Sequence, residues 1–188
     1  IDDVGAPIRG TSGDSYRMGL EVEALWQIDH RWSWQVSLAL SENKNRDYVT
    51  EFDGVLQNLG QTDISFAPGV IGSSVWSYQT ESGWRLAWFA KHVGAQYMGN
   101  TERDASRLAA YMVNDLQVSY DWQKPWLGKT MSLKLLLNNI LSADYVSNGY
   151  YYTFDDDYSN PGVVQTIEGA GYYPQALANG LIGLTIEF

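Results

Sequence analysis

The stretch Arg17–Ser41, RMGLEVEALWQIDHRWSWQVSLALS, decides the fold. In its first half Met18, Leu20, Val22, Ala24, Trp26 and Ile28 share one side, while Arg17, Glu21, Glu23, Gln27 and Asp29 share the other. A period of two belongs to a strand, whose successive side chains point to opposite faces. After His30 and Arg31 the alternation resumes, with Trp32, Trp34, Val36, Leu38 and Leu40 opposed to Ser33, Gln35, Ser37, Ala39 and Ser41. Two such runs joined by a short turn predict an antiparallel hairpin with one apolar face.

Working outward, the alternation recurs about seven times along the chain. A weaker strand is expected from about Val70 to Thr80, with Trp76 and Tyr78 on the apolar side. Another begins at Trp84, where Leu86, Trp88 and Ala90 oppose Arg85 and Lys91. Leu116, Val118, Tyr120 and Trp122 oppose Asp115, Gln117, Ser119 and Asp121, and Met131, Leu133, Leu135 and Leu137 oppose Ser132, Lys134 and Asn138. The last run sets Ile182, Leu184, Ile186 and Phe188 against Asn179, Thr185 and Glu187. No Asp, Glu, Lys or Arg falls on an assigned apolar face.

The connections alternate in length. Short turns lie near His30, near Ser82 and Gly83, and across Gln123 to Gly128; long ones cover roughly Asn43 to Gly69, Gly99 to Ala109 and Ser142 to Leu177. An antiparallel meander built this way carries all its short turns at one end, as transmembrane β-barrels do. Trp26, Trp32, Trp34, Tyr78, Trp84, Tyr120, Trp122 and Phe188 all fall at that end and form an expected membrane girdle. Trp and Tyr favour a membrane interface, which satisfies a large apolar ring and a polar N–H or O–H together.

Composition narrows the classes. Of the 188 residues 45% are hydrophobic, yet no apolar run of about 18 is present to make a membrane helix. Charged residues make up 18%, below the roughly 25% of soluble domains, while 8 Trp and 13 Tyr are present. A net charge of -10 with 12 scattered basic residues argues against nucleic acid as a partner. The absence of Cys decides little about compartment. The fold expected is all-β, an antiparallel up-and-down transmembrane β-barrel segment of about seven strands, with outer membrane lipid as a partner. Residues 1–188 read as one unit, the C-terminal part of a larger barrel, because an odd strand number and a loop-like Ile1 to Gly13 leave a single-chain barrel incomplete. The rivals are a small self-contained outer membrane barrel serving as adhesin or anchor, and a soluble carbohydrate-binding β-sandwich, whose strands also have one apolar face.

Five blocks spread along the chain resemble the end of a TonB-dependent receptor. They are Ser15-Tyr16-Arg17 with Gly19 and Glu21; Asp63-Ile64-Ser65-Phe66-Ala67-Pro68; Val93-Gly94 with Gln96-Tyr97 and Asn100; Asn138-Asn139-Ile140-Leu141 with Tyr145, Ser147-Asn148-Gly149; and Tyr172-Tyr173-Pro174-Gln175-Ala176 with Asn179. The resemblance implies about 22 strands around a globular plug that this chain does not contain. It implies active nutrient uptake across the outer membrane of a Gram-negative bacterium. The implied partners are the remainder of the barrel and the plug, the TonB complex, a nutrient ligand and a surface lipoprotein. A terminal aromatic such as Phe188 is similar to the signal read by the barrel-assembly machinery. Ala178 departs from the pattern, since relatives often carry a basic residue there.

Catalysis needs a convergent constellation, and the only histidines are His30, at a turn, and His92, on an outward face. Glu21 and Glu23, on the inward side, read as wall. No enzyme activity, cofactor or metal is expected. Ligand contact is expected in the last long loop, through Tyr150, Tyr151, Tyr152, Phe154, Tyr172 and Tyr173 with Asp155, Asp156 and Asp157. Exposed rings stack on flat ligand faces, and carboxylates are hard oxygen ligands, although three adjacent Asp lack the spacing of a calcium loop.

Overall fold

A computed structural model describes residues 13–122 and 130–187. Among the described residues twelve strands are present: β1 (Ser15–Gln27), β2 (Trp32–Phe52), β3 (Val55–Asp63), β4 (Val70–Gln79), β5 (Trp84–Val93), β6 (Gln96–Tyr97), β7 (Arg107–Leu108), β8 (Tyr111–Asp121), β9 (Thr130–Asn138), β10 (Val146–Asp156), β11 (Gln165–Pro174) and β12 (Asn179–Glu187). A short 3-10 helix, Asp104–Ser106, precedes β7. Eight of them form one open antiparallel sheet: seven follow the order β1-β2-β4-β5-β8-β9-β12, the expected meander with its ends unjoined, and β3 pairs with β2 beside that path.

The register keeps the two faces separate across the whole sheet. Trp34 lies opposite Trp76, Trp76 opposite Trp88, Trp88 opposite Leu116, Leu116 opposite Leu137, and Leu137 opposite Gly180. The inward row beside it runs Gln35, Val75, Phe89, Asp115. One residue of slip in any ladder would have mixed the rows, because the side-chain period is two.

Among the described residues no second layer covers the outward stripes: Leu20 is 61% exposed, Trp88 44% and Ile182 75%. Among the described residues only Val93, Met98 and Leu108 are buried hydrophobics. A soluble sandwich would hide these stripes between two sheets; here they face outward, which removes that rival. Polar side chains also stand in the outward rows: His92, as expected, and Ser74 and Asn114, which the alternation alone passed over. Trp34 Nε1 donates to Ser74 Oγ at 2.9 Å and Trp88 Nε1 to Asn114 Oδ1 at 3.1 Å, so each indole satisfies a neighbour's oxygen. His92 sits opposite Gly72 and Met112. The inward face, conversely, holds the apolar pair Leu136 and Leu181.

Two long connections expected as loops are strand-built hairpins. β2 runs 21 residues, continuing beyond Ser41 and turning at Asp53 and Gly54, whose φ angles are 53° and 70°. β3 then returns along it, with register shifts between Asn45 and Tyr48 and between Tyr48 and Val49. Positive φ at both turn residues matches the two-residue turns that follow strand twist. The other, β10–β11, pairs Tyr150 with Gly171 and Tyr152 with Gly169. Ile28 falls just past β1, its N–H donating to Trp32 O in the turn (3.0 Å). The short connection from Gln123 to Gly128 and the terminal Phe188 lie outside the described residues.

Candidate functional site

At the short-turn end the expected girdle residues meet as ring pairs: Trp32 with Tyr78 at 4.5 Å, Trp84 with Tyr120 at 4.7 Å, and Tyr120 with Trp122 at 5.0 Å. Trp34 stacks at 5.2 Å on Trp76, which the sequence had put on the apolar face but not in the girdle. Trp26, opposite Trp34, is 60% exposed. The turn itself is held by Asp29, whose carboxylate accepts from the N–H groups of Arg31 (2.7 Å) and Trp32 (2.9 Å) and is thereby kept below the usual carboxylate range. His30 lies in this turn and accepts from Arg31 Nε. Glu21 and Glu23 stand opposite Ala39 and Ser37 on the inward side, and Glu23 accepts from Gln35 at 3.1 Å.

The opposite end carries the cleft. A cavity of about 540 Å³ opens between the β2–β3 hairpin, which supplies Tyr48, Phe52 and Gln57, the segment 98–103, and Tyr151 to Phe154 of β10. Arg103, the one basic residue lining it, lays its guanidinium 4.1 Å over the Phe52 ring. None of the ion pairs among the described residues includes Arg103. A guanidinium over an aromatic face keeps its in-plane donors free while the ring holds it in place.

On β10 the alternation divides the predicted aromatics. Tyr150, Tyr152 and Phe154 share a face, with neighbouring centroids 6.3 and 6.4 Å apart and ring planes within 19° and 14°. Glycines stand opposite two of them for a steric reason. A Cβ at Gly169 would lie 2.6 Å from Tyr152 Oη, and one at Gly171 would lie 2.6 Å from Tyr150 Oη. The rings therefore lean across the bare backbone of β11, an arrangement that packs an aromatic on a strand glycine. Tyr173 joins from the side, 6.2 Å from Tyr150.

Tyr151 faces the other way. Its Oη donates to Glu168 Oε2 at 2.7 Å, and burial, reinforced by that carboxylate, pushes its pKa up to about 12. Tyr172 Oη donates to Ala105 O at 2.7 Å and fastens β11 to the 3-10 helix.

The three aspartates diverge. Asp155 accepts from the Thr166 hydroxyl at 2.6 Å. Asp156 is held below its ordinary pKa by the Ser159 hydroxyl and then by the N–H groups of Ser159 and Tyr158, from which it accepts at 3.0 Å each. Asp157 is exposed. Among the described residues no group of three or more His, Cys, Asp or Glu is placed to hold a metal ion.

Around the cleft the rim is tied by residues whose importance a single sequence does not display. Ser65 N–H donates to Asn100 Oδ1 (2.8 Å) and Phe66 N–H to Tyr97 O (2.8 Å), which joins two of the five sequence blocks. Asn139, 2% exposed, joins two more. Its Nδ2 donates to Ala143 O (2.9 Å) and Ala176 O (3.1 Å), and its Oδ1 accepts from Ala143 N–H (2.9 Å). Its own N–H reaches Asp115 Oδ1 at 2.7 Å. Asp53 and Thr166, 113 positions apart, exchange a further pair of hydrogen bonds.

Comparison with known proteins agrees with this geometry. The family model described as TonB dependent receptor-like, β-barrel, matches residues 2–140. Among solved structures the chain is similar to the ferric yersiniabactin uptake receptor FyuA from Yersinia pestis, with a TM-score of 0.61 and 18% identity. That superposition covers 94% of this chain and 24% of the receptor, so the chain spans about a quarter of its length. No curated protein matches the sequence.

Proposed function

The chain belongs to the TonB-dependent receptor-like β-barrel family, and on that premise we propose that it forms barrel wall and ligand-facing loops of an outer membrane receptor for active nutrient uptake. In this reading residues 1–188 are the C-terminal part of the barrel, set in the outer membrane of a Gram-negative bacterium. The remaining strands and the plug come from the rest of the receptor. The nutrient enters between the long loops, and a TonB-driven rearrangement of the plug passes it inward. A surface lipoprotein over the same rim is compatible with that arrangement.

The observation that carries the reading is the exposed, predominantly apolar outward face of the sheet. An outward face of exposed Leu, Val and Trp beside a largely polar inward face suits a sheet with acyl chains on one side and an aqueous lumen on the other. The aromatic girdle Trp26, Trp32, Trp34, Tyr78, Trp84, Tyr120 and Trp122 then marks the interface at the short-turn end, and the cleft belongs to the outer surface. The open sheet favours the larger barrel over a small self-contained one, since β1 and β12 have no partner on their outer edges among the described residues.

We assign ligand contact to Tyr151, Tyr152 and Phe154, which line the cleft, and to the neighbouring Tyr150, Tyr172, Tyr173, Asp155, Asp156 and Asp157. The chemistry assigned to these residues is binding and passage of a ligand. The test is receptor-dependent uptake in the native host, with the full receptor carrying Tyr150→Ala, Tyr151→Ala and Tyr152→Ala. Uptake is expected to fall several-fold while the amount of heat-modifiable folded receptor in the outer membrane is unchanged. Wild-type uptake by that variant removes the assignment.

A further inference from the structure

The β2–β3 and β10–β11 hairpins are far apart in sequence and belong to neither each other's ladder nor a common sheet. They nevertheless meet at one tightly made point. Thr166 N–H donates to Asp53 Oδ1 at 2.7 Å while Asp53 N–H donates to Thr166 Oγ1 at 2.6 Å. The same hydroxyl donates its proton to Asp155 Oδ1 at 2.6 Å. Thr166 is only 9% exposed. Beside it the side chain of Val164 lies against Gly54, close enough that a Cβ there would approach within 3.2 Å.

A single threonine thus uses its amide as donor and its hydroxyl as both acceptor and donor, with partners on both hairpins. Each bond involves a carboxylate or a backbone group held in a tight turn, and hydrogen bonds to charged groups are the stronger class. We propose that Thr166 is a latch that joins the two hairpins into one body and so fixes the width of the cleft between them. The cleft has Tyr48 and Phe52 on one wall and Tyr152 and Phe154 on the other. The latch sits at the hairpin ends, where a free hairpin would swing furthest. With the latch made, the walls are held at a set spacing before any ligand arrives; opening the cleft requires breaking it or moving both hairpins together. Thr166 is a positioning residue: it holds the two walls of the cleft and does not line it.

That this spacing matters for uptake rests on the function proposed above, whereas the latch itself does not, and the experiment separates the two. The sequence contains no Cys, so spin labels can be placed on the full receptor, made cysteine-free elsewhere, at Leu56→Cys and Tyr158→Cys. Both positions are exposed, one on each hairpin, at 72% and 91%. Pulsed electron–electron resonance is expected to give one narrow distance distribution in the wild-type background and in Thr166→Ser, which retains the hydroxyl. Thr166→Val, which has the same shape without the hydroxyl, is expected to broaden that distribution at least twofold or add a longer component. Asp53→Ala supplies an independent break from the other side, and heat-modifiable migration of every variant establishes that the wall is folded. A broad distribution in the wild type, or a Thr166→Val distribution superimposable on it, overturns the latch. Loss of the narrow distance with unaltered uptake leaves the latch standing and overturns the proposed role of the cleft in ligand capture.

Discussion

Asn139 shows how much one side chain carries at the rim. It holds a φ of 48°, a conformation open to Asn at modest cost, and its amide reaches two carbonyls and one N–H from segments 4 and 37 positions away. Asn139→Ala leaves these groups without their partner in a nearly closed site, which is expected to cost about 2 to 4 kcal/mol. Asn139→Gly tolerates the backbone angle but loses the same bonds. Urea midpoints of the full receptor in detergent separate the terms: if Gly restores wild-type stability, the hydrogen-bond account is wrong. Tyr151 offers a second check at this scale. Its proton is held by burial and by the Glu168 carboxylate, so its folded pKa, about 12, lies above that of the unfolded chain. The stabilisation is present below pH 10 and is lost as pH rises from about 10 towards 12, because the unfolded chain gives up the proton first. Ultraviolet difference titration between the wild type and Tyr151→Phe should therefore show no difference in phenolate near pH 10 and one extra phenolate in the wild type only towards pH 12; a difference already present near pH 10 would contradict this.

Within the strands, neighbouring positions differ more than distant ones. Leu38 lies in an outward row opposite Val22 and Gly72, and Ser37 lies in the inward row opposite Glu23 and Ser73. Arginine at Leu38 is expected to cost about 2 to 4 kcal/mol in folding into lipid vesicles, as a cation facing hydrocarbon does, whereas Ser37→Arg should cost well under half of that. Equal penalties would mean that the two rows do not face different solvents. These strands were legible in the sequence because face assignment is local: each run states its own period, and β1, β2, β4, β5, β8, β9 and β12 occupy the seven runs from which the meander was read. The hairpins beyond them were not. β2 past Ser41 contains register shifts near Tyr48, and a bulge breaks the very period that announces a strand. On β10 the glycines opposite Tyr150 and Tyr152 are visible as letters, but which tyrosine each one faces depends on a register that no local pattern states.

Taken whole, the molecule is a wall with a roofed rim. Its sheet is open, so the outer edges of β1 and β12 present backbone groups that lipid cannot satisfy. The chain expressed alone is expected to give no heat-modifiable monomer in vesicles, and co-expression with the remainder of the barrel should rescue it; a folded monomer from residues 1–188 alone would favour the small-barrel reading. The sequence by itself determined the strand faces, the alternation of short and long connections and the aromatic level at one end. All three follow from the period-two geometry of the strand and from where a residue type is content to sit, which neighbours along the chain suffice to fix. Only the tertiary structure decided that the long connections stand as hairpins, that Asn139 ties the rim, and that Asp53 and Asp155 meet at Thr166 while Asp156 turns away to cap a bend. Hydrogen bonds between groups more than a hundred positions apart leave no periodic trace, because they depend on where whole elements come to rest.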